Sequence, residues 1–395
     1  MPTLPILALR LFVPWLLAAA SALAVPRLPG SDAEVLERLP ARALDPRQAE
    51  MSTLRRQLAA RPNDLDLAIA LARRYHAEVA AEGDPRYIGY AQAALAPWWR
   101  LADPPQRVRV MRAILLQFNH QFDAAVADLR AAVQADPGDD EAWAWLAAIA
   151  MVRGDYALAR SACEALAPQA APAIAAGCRA QVDATTGQAA AAADALRAAL
   201  QADRQADAGE RLWALTRLAE IEQRRGRYAA AEAAYRQALA LGITDGYLLA
   251  AYADLLLDLG RPAEVLALLQ GRERSDLLLL RLALAAQAGA DPRQGRWQRE
   301  LAARFDAARL RGDSVHQKEE SRFALQLLRD APRALALARE NYVVQREPSD
   351  ARILLEAALA ARQPEAAAPV RAWLARSGIE SVVLQDLVNK LGAGP

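Results

Sequence analysis

Along most of the chain the apolar positions recur three and four residues apart, the spacing of one face of a helix rather than of a strand. The pattern is also punctuated at near-constant intervals. Compare "QFNHQFDAAVADLRAAVQADP", "MVRGDYALARSACEALAPQAAP" and "QRRGRYAAAEAAYRQALALG". Each has a small or polar turn residue, an aromatic two places on, and an Ala three places after that. The turn residues His120, Gly154, Gly187, Gly226 and Gly260 follow one another at steps of 34, 33, 39 and 34 residues. Val, Ile and Thr are scarce and no alternating stretch predicts a strand. The prediction is an all-α chain of helix pairs, repeated.

A two-helix unit with a period near 34 resembles the tetratricopeptide repeat, TPR. In the copy that starts at Leu212, Leu215, Leu218 and Ala219 fall at the family's positions 4, 7 and 8. Tyr228 and Tyr235 occupy positions 17 and 24, and Ala231 and Ala238 positions 20 and 27. The copy from Asp140 places Trp143, Leu146, Ala147 and Ala159 likewise, and the copy from Gln106 places Ala113, Phe122, Ala125, Ala132 and Pro137. Small residues let the helices of a pair approach. A turn glycine adopts the left-handed conformation that closes the first helix, and Pro137 stops the second. No single pair buries its bulky residues, so the copies must stack. The resemblance implies an all-α fold: an α-solenoid of stacked helix-turn-helix (TPR-like) hairpins forming a right-handed superhelix.

The pattern is regular over 104–271. A degenerate first hairpin spans 49–103, where a copy from Leu65 carries Leu71, Ala72 and Tyr75 and a lengthened turn. Its second helix, "YIGYAQAAL", brings Tyr87 and Tyr90 and leads to Trp98 and Trp99, which read either as packing or as an exposed aromatic patch. Past Gly271 the period slips, and 272–395 reads as TPR-like helices ending in a capping helix, "SVVLQDLVNKLG". There "DPRQGRWQRELAARFDAARLRG" predicts a helix begun by Asp and Pro, with Trp297, Leu301 and Phe305 on its apolar stripe.

The N-terminus differs in kind. An apolar run from Leu11 to Pro26 ends in "ALA" at Ala22 to Ala24. That reads as a signal peptide over 1–24, cleaved near Ala24, with an uncleaved anchor as the alternative. Residues 25–48, with four Pro among polar residues, read as an extended lead-in. No further run is long enough for a membrane span, so the expected location is periplasmic or secreted.

Composition narrows the function. A formal charge of +1 argues against a general nucleic-acid binder. None of GxSxG, HExxH, the dinucleotide fingerprint or a phosphate loop occurs, and the three His residues are far apart. No catalytic residue, metal ligand or cofactor is expected. The two cysteines suggest a disulfide in an exported protein. By the resemblance Cys163 lies on the second helix of one repeat and Cys178 on the first helix of the next, which are neighbours in the stack. Two small buried thiols are the alternative.

The same resemblance places Arg73, His76, Arg107, Gln117, Glu141, Gln181, Trp213, Glu220, Gln223, Arg224, Tyr247 and Asp254 on the concave face as a partner-binding set. Their mixture of aromatic, amide and both charge signs suits an extended peptide. Trp213 and Tyr247 are the expected anchors, although Trp213 reads equally well as covering the neighbouring hairpin. The family's clamp of paired Lys and Asn is absent. The function expected is a non-enzymatic exported scaffold for protein–protein interaction in the bacterial cell envelope. The alternative is an enzyme or accessory factor handling an envelope polymer, polysaccharide or peptidoglycan, on the same frame.

Overall fold

The computed structural model describes residues 31, 46–203, 206–312 and 317–392. The signal peptide and almost all of the lead-in expected from the sequence, and His316, lie outside the described residues. Residues Gln48–Pro395 form one compact unit. Among the described residues every regular element is helical.

After α1 (Pro46–Ala60), the helices pair as antiparallel hairpins: α2 (Leu65–Glu82) with α3 (Arg86–Ala94), followed by the single turn α4 (Ala96–Trp99); α5 (Gln106–Phe118) with α6 (Phe122–Ala135); α7 (Asp140–Arg153) with α8 (Tyr156–Leu166); α9 (Pro172–Thr185) with α10 (Ala189–Ala202); α11 (Ala208–Arg224) with α12 (Tyr228–Leu239). The array continues through α13 (Gly246–Asp258) with α14 (Pro262–Leu268), α15 (Asp276–Ala288) with α16 (Gln294–Leu310), α17 (Gln317–Gln326) with α18 (Ala331–Val344), and α19 (Pro348–Ala360), joined through a 3-10 turn to α20 (Ala368–Ser377) and α21 (Val382–Gly392). The result is a TPR-like α-solenoid, whose core runs as three consecutive clusters of buried side chains along the array.

All five turn residues picked out by the repeat have positive φ: His120, Gly154, Gly187, Gly226 and Gly260. The rhythm continues past Gly260, through Ala290 (φ 54°), Arg329 (φ 59°) and Arg362 (φ 55°). Each ends the first helix of a hairpin in the left-handed conformation without being glycine. That conformation costs a residue with a Cβ about 1–2 kcal/mol, against the extra unfolded-state freedom of glycine. Ala290→Gly is therefore expected to stabilise the fold by about 0.5–1 kcal/mol in urea titrations. A loss of stability would mean that the methyl group has a packing role.

The aromatic stretch of the first hairpin is packing. Tyr75, Tyr87 and Tyr90 form a triangle with ring centroids 5.7–5.9 Å apart. Trp98 and Trp99 lie against the first core cluster, and only Tyr90, 51% exposed, shows much of its ring. One sequence expectation shifts: α16 starts at Gln294, not at Asp291. The Asp291 carboxylate instead accepts from the amide and guanidinium of Arg293 and so fixes a turn ahead of the helix. Trp297, Leu301 and Phe305 are buried as the stripe predicts.

Two closures shape the array. The end of α2 meets the start of α13 and the N-cap of α15. There Gly83 has φ 68°, and a Cβ on it would lie 2.4 Å from the Ser275 hydroxyl. The C-terminal hairpins also fold back over the turns of earlier repeats. Gly154 faces Arg346, Gly187 faces Gly378, and Gly226 faces Val382. The Arg346 amide donates to the Val152 carbonyl at 2.8 Å, Trp373 Nε1 donates to the Tyr156 hydroxyl at 2.7 Å, and Glu380 accepts from the first amide of α10 at 3.1 Å. Carboxylate at a helix N-terminus is the favourable pairing.

Cys163 on α8 and Cys178 on α9 are joined in a disulfide, with Cα atoms 5.6 Å apart and a sequence separation of 15. Both are buried. It staples two successive hairpins of the array across their shared interface. Cys163→Ala/Cys178→Ala is expected to lose about 3 kcal/mol by the loop-closure argument. Denaturant unfolding of the oxidised wild type against the double variant measures it; a difference under about 1 kcal/mol would show that the neighbouring packing suffices.

Candidate functional site

The fold-back leaves a chamber of about 310 Å³ between the concave ends of α9, α11, α13 and α15 and the inward faces of α17, α19 and α21. It is close to the lower end of the size range of ligand sites. Its position follows from the sequence pattern. The first helix of each hairpin buries its apolar face in the stack and turns its polar face to the concave side. Helix α19, started by Pro348 and a capping box between Glu347 and Asp350, is laid across that side.

Seven cationic and six acidic side chains line the chamber, and most are committed to each other. At one end Asp254 accepts from Arg281 Nε at 3.1 Å and Nη2 at 2.7 Å, and from Arg322 Nη1 at 2.6 Å. Burial alone would raise the Asp254 carboxyl, but the two guanidiniums outweigh it and hold the group well below the usual carboxylate range. Arg352 donates to Asp258 at 2.7 and 2.8 Å and to Glu356 at 2.7 Å, tying α19 to α13. Lys318 reaches Asp350 at 3.7 Å; burial works against its charge, but Asp350 and Glu319 raise its pKa.

The middle of the chamber is built on Glu220. It pairs with Arg217 at 3.1 Å and accepts from the Tyr247 hydroxyl, while the Arg217 guanidinium sits 4.7 Å over the Tyr247 ring. Tyr247 is 48% exposed, yet protein surrounds it. The solvent it meets is that of the chamber, and burial pushes its phenol well up. Behind it Tyr235 donates to Gln223 Oε1 at 3.2 Å. Burial also raises the Glu347 carboxyl, against the pull of Lys318.

The other end, formed by Met151, Tyr156, Gln181, Thr185, Arg224 and Arg346, is different. Arg224 Nη1 donates to the Thr185 hydroxyl at 3.3 Å, and no carboxylate among the described residues forms an ion pair with it. Its Nε is buried without a protein partner, as is that of Arg217. Burial lowers the Arg224 pKa against the pull of Glu220, and the neighbouring Arg217 adds to the lowering.

Of the residues expected on the concave face, Gln181, Glu220, Gln223, Arg224, Tyr247 and Asp254 come together in this chamber. The other six lie elsewhere. Arg73 spans from α2 to Glu141 on α7, with Nη1 2.7 Å from Oε1. Arg107 pairs with Asp66. His76 meets Trp145 edge-on at 6.0 Å, and burial lowers its imidazole pKa. Gln117 is half-buried near the end of α5. Trp213 lies over Gly177 and touches two core clusters, which is the covering position rather than a place in the chamber wall. Sequence reasoning missed Arg217 and Thr185, one place from the expected register lines or on them, and also Arg281, Lys318, Arg322, Arg346, Glu347 and Arg352. The last five come from the C-terminal hairpins and the link into α19, whose return to the concave side no local pattern announces. Among the described residues no group of three His, Cys, Asp or Glu is placed to hold a metal ion, and no helix is long and apolar enough to cross a membrane.

No curated protein sequence matches the chain. Among solved structures, the APC/C hetero-tetramer Cut9–Hcn1 is similar at 14% identity over 83% of this chain, with a TM-score of 0.49. The chain spans 63% of that protein's length. The TPR domain of P58(IPK) is similar at 14% identity, over 80% of this chain and 94% of that one, with a TM-score of 0.20. Residues 119–182, which hold α6 to α8 and most of α9, match the tetratricopeptide repeat family model.

Proposed function

We propose that the chain is a non-enzymatic, exported TPR scaffold that holds a partner protein in the bacterial cell envelope. The single observation that carries the reading is the chamber: half of the concave-face residues of the repeats converge there, around a solvent-reached Tyr247. An aromatic ring flanked by amides and charged groups is the kind of anchor that dominates recognition of a polypeptide segment. Export is supported by the apolar N-terminal run ending in "ALA" and by the Cys163–Cys178 disulfide, which suits an oxidising compartment.

The rival reading, handling of an envelope polymer, draws on the same chamber, because acids and tyrosines lie together in it. Against a catalytic role stand the ion pairs that engage Glu220, Asp254, Asp258 and Glu356. A photo-crosslinking amino acid in place of Gln181, with a control at the exposed Arg227, separates the two in intact cells. A discrete protein adduct from the Gln181 position alone supports the scaffold. A protease-resistant, glycosidase-sensitive adduct would transfer the proposal to the polymer.

A further inference from the structure

The chamber is unevenly balanced. Its Asp254 and Asp258 end is closed by ion pairs, whereas its Tyr156 and Arg224 end holds a guanidinium that no carboxylate claims. Nearly every other buried arginine of the chamber wall is matched. Arg281 and Arg322 share Asp254, and Arg352 has both Asp258 and Glu356. Leaving a cation desolvated and unpaired is unfavourable, and folds retain such groups where a ligand completes them. Arg224 Nε is buried with no protein acceptor, its Nη1 has only the Thr185 hydroxyl, and Arg217 Nε beside it is likewise unpartnered. Arg346 stands exposed at the mouth of the same end. The Tyr156 phenol lies in the field of both Arg224 and Arg346, which fixes all three in one neighbourhood.

Resting on the scaffold reading, we propose that Arg224, with Thr185 and Gln181 beside it and Arg346 at the mouth, is a carboxylate-binding site for an acidic side chain or a free chain end of the partner polypeptide. The two terminal nitrogens of a guanidinium match a carboxylate in a planar, two-bond arrangement that Lys cannot reproduce. The chamber's charge selects a monoanion. It carries one more cation than acid, and Glu220 and Glu347 stand close enough to be felt by the neighbouring arginines. A carboxylate neutralises the surplus, whereas a phosphate dianion would meet those two acids. Thr185 and Gln181 add polar partners beside the guanidinium, and Met151 and Ile221 give the adjoining methylenes an apolar wall.

The test uses the full mature chain and fluorescein-labelled octapeptides of Gly, Ser, Leu and Tyr. One set has an internal Glu and an amidated end, one has a free end and no Glu, and one has neither; tetragalacturonate is a competitor. Polarisation is expected to show tighter binding of one or both acid-bearing sets, and which of them binds identifies the source of the carboxylate. Arg224→Gln should weaken it about 10- to 100-fold and abolish the preference over the neutral set, with Arg224→Lys recovering only part. Because Arg224 has no carboxylate ion pair, Arg224→Gln should melt no lower than wild type, which separates lost recognition from lost fold. Equal binding of acidic and neutral peptides, or an Arg224→Gln variant that binds as wild type does, overturns this proposal and leaves the scaffold reading standing. Binding of tetragalacturonate with no peptide bound overturns both.

Discussion

Asp254→Asn is expected to destabilise the fold by about 3–5 kcal/mol at neutral pH, the loss typical when one member of a buried charge cluster is removed. The reason is geometric. Asp254 on α13 is the one carboxylate that Arg281 on α15 and Arg322 on α17 both hydrogen-bond, at 2.6–3.1 Å. Neutralising it leaves two guanidiniums facing each other with little solvent to screen them. It also cuts a tie between the repeat array and the start of the C-terminal hairpins. The sign with pH follows from the direction of the shift. The folded-state carboxyl lies well below its unfolded value of about 3.9, so its contribution is complete above that value. As pH falls below about 4 the unfolded chain takes up the proton first, and the stabilisation drains away until the folded group titrates as well. Urea titrations of wild type and variant between neutral and strongly acid pH should therefore show a gap that is widest at neutral pH and narrows below about 4. A gap of the same size at all pH values would mean that Asn disturbs packing instead of charge. A gap under 1 kcal/mol would mean that water relaxes the arginines.

The repeat was legible because its most informative residues act locally. A turn residue with positive φ, an aromatic two places on and a small residue facing the partner helix each follow from the geometry of a single hairpin. The turn positions read correctly from His120 to Gly260. The same geometry continues through Ala290, Arg329 and Arg362, but there the backbone adopts the left-handed state without the glycine that advertises it. The period therefore blurs in sequence while it persists in space. The concave face was legible in part for a related reason. Register lines on one helix say which side chains leave the stack, and they gathered Gln181, Glu220, Gln223, Arg224, Tyr247 and Asp254. They cannot say what comes back to meet those side chains. Arg346, Glu347 and Arg352 belong to the chamber only because α19 crosses the concave side, an arrangement set by contacts such as Arg346 to Val152 and Trp373 to Tyr156 across some 200 residues of chain.

That fold-back changes what the concave face can do. An open superhelical groove admits a long extended peptide along its length. Here the N-terminal end is crossed by the Arg73–Glu141 and Arg107–Asp66 pairs, and the middle is overlaid by α19 and α21. What remains is suited to one inserted group rather than to a running chain. The acid-binding end and the paired end of the chamber then have different tasks, recognition at Arg224 and attachment of the C-terminal hairpins at Asp254 and Asp258.

Trp213→Ala is expected to lose about 3 kcal/mol, toward the lower end for truncating a packed Trp because the ring is only half-buried. The ring touches the core cluster formed by α1 to α9 and the one formed by α9 to α17, so it couples two stretches of the array. Its seat is Gly177, in the interior of α9, where a Cβ would lie 2.4 Å from the ring's Cζ3. Helix propensity alone would favour Ala there by about 1 kcal/mol. Overpacking against a large ring costs about 1–3 kcal/mol, so Gly177→Ala in the wild type should be net destabilising. In the Trp213→Ala background the clash is gone and only the propensity gain remains. The sign of Gly177→Ala should then reverse, from a loss to a gain of up to about 1 kcal/mol. A double-mutant cycle in urea reads the coupling directly, and contacting residues of this kind give interaction energies of about 0.5–3 kcal/mol. If the two substitutions add without coupling, the ring does not rest on Gly177. If Trp213→Ala leaves the melting transition unchanged, the ring does not hold the two core clusters together.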